Sequence, residues 1–570
     1  MKATLLAILK KAWGEKTPIE LSIPDDPQFG HYATNVAMRI AHAHGKKPLD
    51  LAEELRESLV RKAPADFFER VEVAAPGFIN FWLTDDTIRK ALAEASRHES
   101  FGSNHANKGS LMMVEFTDPN PFKLFHIGHL MSNTIGESFA RLCEASGARV
   151  RRANYYGDVG LHIAKSLWGM QELASEMPPG DVSPNIKMEF LGKAYALGSK
   201  AYEEREDAKG AITEINKKIY ERSDGAVNTL YDMGLAWSLA YFETVYKRLG
   251  TKFDDYFPES SVSGEGMDLV RARKDIFIES DGAIVFPGEH YGLHTRVFIN
   301  SQGLPTYEAK ELGLNKRKFE LYPLALSIIV TGNEVKDYFN VLLKTMELVL
   351  PEVAEKTKHM PHGMLRLPSG KMSSRTGDVI TAEALLDNVK KELAARVSER
   401  STLDEQDREA VTEAMAIGAI KYSILKQNPG QDIVFDFDTS LSFEGDSGPY
   451  LHYTYARLQS IVRKAENEFG AGHGGKNFSA LDSAIELSLA RKILDFPDVV
   501  SLAQERFAPS GVAAYLYRLA ALANKFYETM PVLKEENKER REARLALASL
   551  AARTLRFGMS LLGITALEKI

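Results

Sequence analysis

The stretch Leu111-Met112-Met113-Val114-Glu115-Phe116-Thr117-Asp118-Pro119-Asn120-Pro121-Phe122-Lys123-Leu124-Phe125-His126-Ile127-Gly128-His129-Leu130 decides the reading of this chain. An apolar run of strand length gives way to a Pro/Asn-rich loop, and the loop opens onto what the spacing predicts to be the first turn of a helix. In that turn His126 and His129 stand three residues apart on one helix face, the free N–H groups of a helix N-terminus are available to an anion, and Gly128 lets a planar base approach the backbone. This arrangement suits a nucleoside triphosphate. Far downstream, Gly370-Lys371-Met372-Ser373-Ser374-Arg375-Thr376-Gly377 is a basic, hydroxyl-bearing loop bracketed by glycines, of a kind that can close on a polyphosphate.

Bulk properties set limits. At 570 residues, 44% hydrophobic and 26% charged, the chain exceeds one ordinary core and is expected to divide into several globular domains. One cysteine, Cys143, excludes internal disulfides and multi-cysteine zinc sites, so no metal site is expected. The first residues, MKATLLAILKKAWGEKTP, place charges directly after a short apolar patch, and no run approaches the ~20 apolar residues of a membrane span. The reading is a cytoplasmic protein without a membrane partner. A net charge of −7 argues against indiscriminate nucleic-acid binding, and DNA is not an expected partner. RNA contacts would have to use local basic faces. Candidates are Arg457, Arg463 and Lys464 on one predicted helix, and the run from Lys538 to Arg544, which reads more readily as a solvated helix face.

Residues 1–108 read as a small α+β domain: a helical start, amphipathic helices over Val36–Ala43 and Pro48–Lys62, and strand-like alternation in FFERVEVAAPGFINFWL. Residues 109–385 read as a Rossmann-type α/β domain in which strand, phosphate-facing loop and helix form half of a doubly wound nucleotide fold. An insertion is expected at about 185–291, and the continuous apolar run 324–331 suits a strand buried on both faces. A helical connector at 386–445 leads to an all-α unit at 446–570, with periodic stretches at 450–469, 484–495, 511–529 and 543–562. The segment 470–477 nearly matches a phosphate-binding glycine loop, but it ends in Asn477 and follows a helix instead of a buried strand, so it reads as an interhelical loop.

An HIGH tetrad followed by a KMSKS-like loop resembles the nucleotide-binding pair of class I aminoacyl-tRNA synthetases. VEFTDPNPFKLFHIGH (114–129), NYYGDVG (154–160), LPTYEAKELGL (304–314), LPSGKMSSRTG (367–377) and GDSGPYLHYTYARLQSIVRKA (445–465) together resemble arginyl-tRNA synthetases. FGHYATNVAM (29–38) is similar to that family's added N-terminal domain, which contacts the outer corner of tRNA. The last hundred-odd residues are similar to its anticodon-binding helical domain.

The resemblance implies ligation of arginine to its tRNA with ATP and Mg2+, by a monomer without a tightly bound metal or organic cofactor. Glu115, Tyr307 and Glu311 offer the carboxylates and aromatic face that a planar, permanently charged guanidinium requires. Asn120 matches the residue that holds the substrate's main-chain end. His126, His129, Lys123 and Lys371 are the expected catalytic groups, with Gly128, Met372, Ser373 and Ser374 around ATP. Three departures stand out: the family commonly has Asp where this chain has Glu311, methionine where it has Ile570, and a second lysine where it has Ser374. Lys123 is the implied replacement for that lysine. The family also implies that activation needs bound tRNA. Tyr455, Arg457, Asn524 and Tyr527 are candidates for reading the anticodon by stacking and edge hydrogen bonds. The competing reading is an inactive paralogue serving as an RNA-binding module, against which the intact His126, His129, Glu115 and Lys371 argue.

Overall fold

In the computed structural model, residues 1–24, 26–368, 380–399, 403–470 and 477–570 are described. The first unit comprises helix α1 (Lys2–Trp13), strand β1 (Tyr32–Thr34), helices α2 (Val36–Ile40) and α3 (Pro48–Lys62), strands β2 (Phe68–Ala74) and β3 (Phe78–Leu83), and helix α4 (Asp85–Arg97). Its sheet has the order β1-β3-β2 with antiparallel pairings. Trp82 and Leu83 in β3 and Leu5 and Leu9 in α1 are among the residues it buries.

The central unit begins with β4 (Leu111–Glu115), α5 (Ile127–Ala145), β5 (Arg149–Tyr156) and α6 (Leu161–Glu172). Three helices follow, α7 (Pro184–Glu204), α8 (Glu206–Glu221) and α9 (Gly225–Leu249), and then β6 (Asp255–Pro258) and α10 (Glu259–Ala272). A three-stranded antiparallel excursion, β7 (Ile278–Ser280), β8 (Ala283–Phe286) and β9 (Arg296–Ile299), leads to α11 (Tyr307–Leu321). The unit continues with β10 (Leu326–Gly332), α12 (Lys336–Val349), α13 (Pro351–Glu355), β11 (Thr357–His362) and β12 (Leu365–Arg366). Its five-stranded sheet has the order β11-β10-β4-β5-β6, and every pairing is parallel. Strand order therefore reverses between β4 and β10, and ligands of such sheets settle at the carboxyl ends of the strands at that switch point.

The sheet corrects the expected insertion. Residues 185–291 are not one excursion, because β6 is the edge strand of the central sheet. The helical insertion is α7 to α9, and a separate β excursion follows α10. A four-residue edge strand reading DYFP has neither the length nor the alternation that would reveal it in sequence.

Helices α14 (Ala382–Ser398) and α15 (Glu405–Leu425) follow, with a two-residue strand β13 (Ile433–Val434) that pairs in parallel with β12, and a short α16 (Phe437–Ser440). The remainder is α17 (Gly448–Phe469), α18 (Ala484–Leu494), α19 (Phe496–Arg506), α20 (Pro509–Thr529) and α21 (Lys538–Leu561). Helix α19 is absent from the periodicity reading, which runs no helix through Phe496–Arg506.

Helix α5 joins the units. It is buried along nearly its whole length, with the sheet on one side and α15, α19, α20 and α21 on others. Ser138 donates to Leu561 O at 2.8 Å and Arg141 to Ser560 O at 3.0 Å. Lys421 of α15 is buried and donates to Leu249 O at the end of α9 (2.6 Å) and to Gly563 O just beyond α21 (2.7 Å). Its ammonium thus caps the negative ends of two helices.

A Cβ placed on Gly136 of α5 would stand 2.2 Å from the ring of Phe116, which is fully buried beneath it. Gly136→Ala should therefore lower the thermal midpoint by an amount corresponding to about 1–3 kcal/mol. Calorimetry checks this, and an unchanged midpoint would contradict the packing of α5 on the end of β4.

Candidate functional site

The site lies at the switch point, where the loop 116–126 joins β4 to α5. Thr117, Asp118 and Phe122 adopt positive φ (81°, 46° and 64°), a conformation costly for side chains other than glycine and one that surrounding contacts must hold. Those contacts are present. Ser132 accepts the Thr117 N–H (2.9 Å) and donates to Val330 O (2.9 Å), pinning the ends of β4 and β10 to one turn of α5. Asn133 donates to Thr117 Oγ1 (3.0 Å), Ser238 of α9 accepts the Phe122 N–H (2.9 Å), and Asp118 accepts the Tyr155 N–H (2.9 Å).

His126 is the N-cap of α5. Its Nδ1 accepts the N–H groups of Gly128 (3.1 Å) and His129 (3.4 Å), while His129 Nδ1 accepts the His126 N–H (3.3 Å). This is a capping box built from imidazoles, and the rings stack with centroids 3.6 Å apart. A Cβ on Gly128 would press on the His126 ring at 2.9 Å, so glycine here also lets that ring fold back over the helix. Burial, then the charge of Lys123, lowers the His126 pKa, and burial followed by His126 and Lys123 lowers that of His129 well below the usual value. Neutral rings that accept at Nδ1 carry their proton on Nε2, and an Nε2–H donates to phosphate. Lys123 sits over the Tyr195 ring at 4.6 Å.

On the downstream side, Ile127 N–H donates to Ile380 O (3.2 Å) and Ala382 N–H to Phe125 O (2.9 Å). The segment that follows the KMSSR loop is therefore stitched to the HIGH turn. Lys371, Met372, Ser373, Ser374 and Arg375 themselves lie outside the described residues.

At the end of β4 and along α11 lies a cluster of acids close enough to raise one another's pKa, which forms the candidate substrate pocket. Glu115 is buried and ion-paired with the fully buried Lys318 of α11. Glu311, on the same helix, accepts a bond from Asn315 at 3.4 Å. Burial, then the Glu115 charge, pushes the Glu311 carboxyl up to about 8, and the same two causes hold Asp118 well above the usual carboxylate range. Asp118 and Glu259 carry no flag in the sequence pattern, because one belongs to a turn and the other starts a helix after a strand that cannot be recognised. Glu259 is buried at the start of α10. Asp158 fixes that helix start by accepting the Ser260 N–H (2.9 Å) and hydroxyl (2.6 Å) and the Tyr231 hydroxyl (2.9 Å).

A Cβ on Gly157 would meet Asn120 Oδ1 at 2.7 Å and Glu259 Oε1 at 3.1 Å, so those two oxygens converge at one wall. The hydroxyls of Tyr155 and Tyr338 are buried without a hydrogen-bond partner. Tyr307, at the first turn of α11, is 55% exposed and stands at the rim. Of these acids, Glu115 has Lys318 against it, whereas the raised carboxyls of Glu311 and Asp118 have no ion-pair partner among the described residues.

The C-terminal candidates separate. Tyr455 is 1% exposed and its hydroxyl accepts a bond from Gln459. It is a core residue, a correction to its expected stacking role. Asn524 is also buried, donating to Thr454 (2.8 Å) and accepting from Arg457 (2.9 Å), so its amide supports Arg457 and is not free to read a base edge. The Arg457 guanidinium stacks at 4.8 Å on both Tyr453 and Tyr527. These three residues, with Arg463, Lys464, Lys534 and Ile570, line a groove of about 910 Å³. In the 538–544 run, Arg544 is buried in ion pairs with Glu486 and Glu535 (2.6 Å each) instead of being solvated.

The parallel sheet, its HIGH turn at the switch point and the appended helical bundle define a class I aminoacyl-tRNA synthetase. Residues 87–437 match the model of the class I (R) tRNA synthetase catalytic domain, residues 1–83 that of the arginyl tRNA synthetase N-terminal domain, and residues 451–570 that of the DALR anticodon binding domain. The arginine–tRNA ligase of Porphyromonas gingivalis is 31% identical, with 95% of this chain and 94% of that protein covered. That of Fusobacterium nucleatum is also 31% identical, over 98% and 96% of the two chains. The solved arginyl-tRNA synthetase of Thermus thermophilus superposes with a TM-score of 0.82 at 26% identity, covering 100% of both chains. The chain belongs to the arginyl-tRNA synthetase family.

The capping geometry predicts that both site imidazoles remain neutral and Nε2-protonated at pH 6, where exposed histidines, with pKa about 6.5, are mostly charged. Long-range 1H–15N spectra of histidine-labelled protein test this. An imidazolium pattern from either ring at pH 6 would refute the assigned tautomers.

Proposed function

We propose that this chain joins L-arginine to tRNA-Arg in two steps at the pocket beside the HIGH turn. The arginine carboxylate attacks the α-phosphorus of ATP, giving arginyl-adenylate and pyrophosphate. The arginyl group then passes to the 2′-hydroxyl of the terminal adenosine of the tRNA, releasing AMP. The observation that carries the reading is the cluster of buried acids Glu115, Glu259 and Glu311, of which Glu311 has no cation paired with it, at the end of the strand from which the chain runs to the HIGH turn. Burial and the Glu115 charge keep a proton on Glu311, because an unpaired buried carboxylate is costly, and arginine supplies a permanent cation against it.

The first step asks little covalent work of the protein. It must align two anions and offset negative charge as it develops at phosphorus. His126 and His129 donate to phosphate oxygens, Gly128 leaves room for the adenine, and Lys123 adds a cation on the phosphate side. Lys371 is assigned the opposite side, with Met372, Ser373 and Ser374 around ATP. Mg2+ enters with ATP as part of the substrate, and no tightly bound cofactor is invoked. In the pocket, Glu311, Glu115 and Glu259 supply the anionic wall for the guanidinium, Tyr307 the rim, and Asn120 the contact to the substrate's main-chain end.

Residues 1–108 are assigned to the outer corner of the tRNA and the groove around Arg457, Tyr453 and Tyr527 to its anticodon. There the cation–π sandwich offers flat faces for unstacked bases. We further propose a cytoplasmic monomer that acts on neither DNA nor membranes. Among the described residues, no helix is long and apolar enough to cross a membrane.

Arginine-dependent ATP–pyrophosphate exchange, with lysine and citrulline as controls and with and without tRNA, tests the reading. Exchange with arginine alone among the three, and only when tRNA is present, is expected. Retention of tRNA binding with no exchange under any condition would favour the RNA-binding paralogue.

The raised Glu311 carboxyl adds a pH signature. Below about pH 8 the empty pocket holds a proton there, and guanidinium binding expels it. Arginine KM should therefore fall as pH rises from 6 to 8, by up to about tenfold per unit, and level off above. Glu311→Gln should flatten that dependence while raising KM. An arginine KM independent of pH in the unmutated protein would remove Glu311 from the guanidinium site.

A further inference from the structure

Lys310 has no part in the chemistry so far, yet it is one of the most enclosed charges in the molecule. It lies on α11 between the rim residue Tyr307 and the pocket residue Glu311. Its side chain and that of Glu259 are each 4% exposed, with Lys310 Nζ 2.5 Å from Glu259 Oε2. The same ammonium lies 4.9 Å from the centre of the Tyr307 ring. The other Glu259 oxygen, Oε1, is the one that converges with Asn120 Oδ1 at the Gly157 wall.

One lysine thus contacts both Glu259 and Tyr307, the carboxylate wall and the aromatic rim of the pocket. Its ammonium occupies one carboxylate oxygen and leaves the other beside Asn120 Oδ1 at the Gly157 wall. We infer that Lys310 is a positioning residue for arginine recognition: it holds Glu259 by one oxygen and Tyr307 by its ring face, so that the guanidinium binds beside a resident cation on the free Oε1 and does not replace it. This rests on the arginine reading of the pocket.

Charge and geometry both favour the arrangement. Without Lys310, Glu259 would be a buried carboxylate with no cation of its own, free to take up a proton or to rotate toward the neighbouring acids. Lysine also suits this position better than arginine for reasons of shape. A compact ammonium can bind one oxygen and leave its partner free, whereas a guanidinium tends to take both oxygens of a carboxylate as a fork. The pocket thereby reserves fork geometry for the substrate.

The test uses the full-length enzyme in pyrophosphate exchange with tRNA present, comparing Lys310→Met, Lys310→Gln and Lys310→Arg. Lys310→Met is expected to raise the arginine KM at least about tenfold, with ATP KM and kcat at saturating arginine within about threefold of the unmutated enzyme. Lys310→Gln keeps a donor to Glu259 without a buried charge and should fall between, which preserves the test if the methionine variant folds poorly. Lys310→Arg restores the charge but competes for both oxygens, so it should recover only part of the KM. An arginine KM within twofold of normal in folded Lys310→Met or Lys310→Gln would overturn the inference. So would parallel losses in ATP KM and kcat, which would mark a general structural role. Absence of arginine-dependent exchange in the unmutated enzyme would instead remove the functional reading on which the inference stands.

Discussion

The structure depends on the burial of helix α5. Its body is enclosed by the parallel sheet and by helices of the C-terminal bundle, so its N-terminus has one direction to face, the carboxyl ends of β4 and β10. Ser132 makes that constraint local by bonding Thr117 N–H and Val330 O from a single hydroxyl. The three positive-φ residues between β4 and α5 are tolerable because neighbouring elements satisfy the backbone there. What this strain achieves is placement: Asp118 is set against Tyr155 N–H and the Glu115 and Glu311 carboxyls, Asn120 against Gly157, and Lys123 near the two histidines.

Electrostatics divides the site in the same way. At the N-terminus of α5, burial lowers the pKa of His126 and His129, and their stacked, mutually capped arrangement fixes which nitrogen carries the proton of the neutral ring. On the other side, burial raises the carboxyls of Glu311 and Asp118, while Lys318 and Lys310 stand against Glu115 and Glu259. Buried ion pairs of this kind contribute little to net stability, because desolvation offsets much of the Coulomb attraction. Their value is positional, since each holds a carboxylate in place.

Motifs that combine local chemistry with local geometry were legible in the chain. The strand, loop and helix around His126 could be read because the apolar run, the proline-rich turn and the helix start all fall within twenty residues. The bundle helices could be read because their apolar faces repeat at helical spacing. Strand β6 could not, being four residues long at a sheet edge, and its loss moved the expected insertion boundary. Glu259 was missed for the same reason, since it acquires meaning only when β6 brings the start of α10 against Gly157. Tyr455 and Asn524 were misassigned because helical spacing specifies a face without saying what covers it. Both face inward, and the groove is instead formed by Tyr453, Tyr527 and Arg457.

The sequence by itself determined the nucleotide turn, the parallel α/β class, the helical C-terminal unit and the family, because each rests on residues close together along the chain or on runs long enough to show a period. Tertiary structure alone decided the strand order that creates the switch point, the pairing of Glu115 with Lys318 and of Glu259 with Lys310, and which aromatics reach the surface. Those outcomes depend on contacts between residues far apart in sequence, and on a desolvation that exists only after the core has closed.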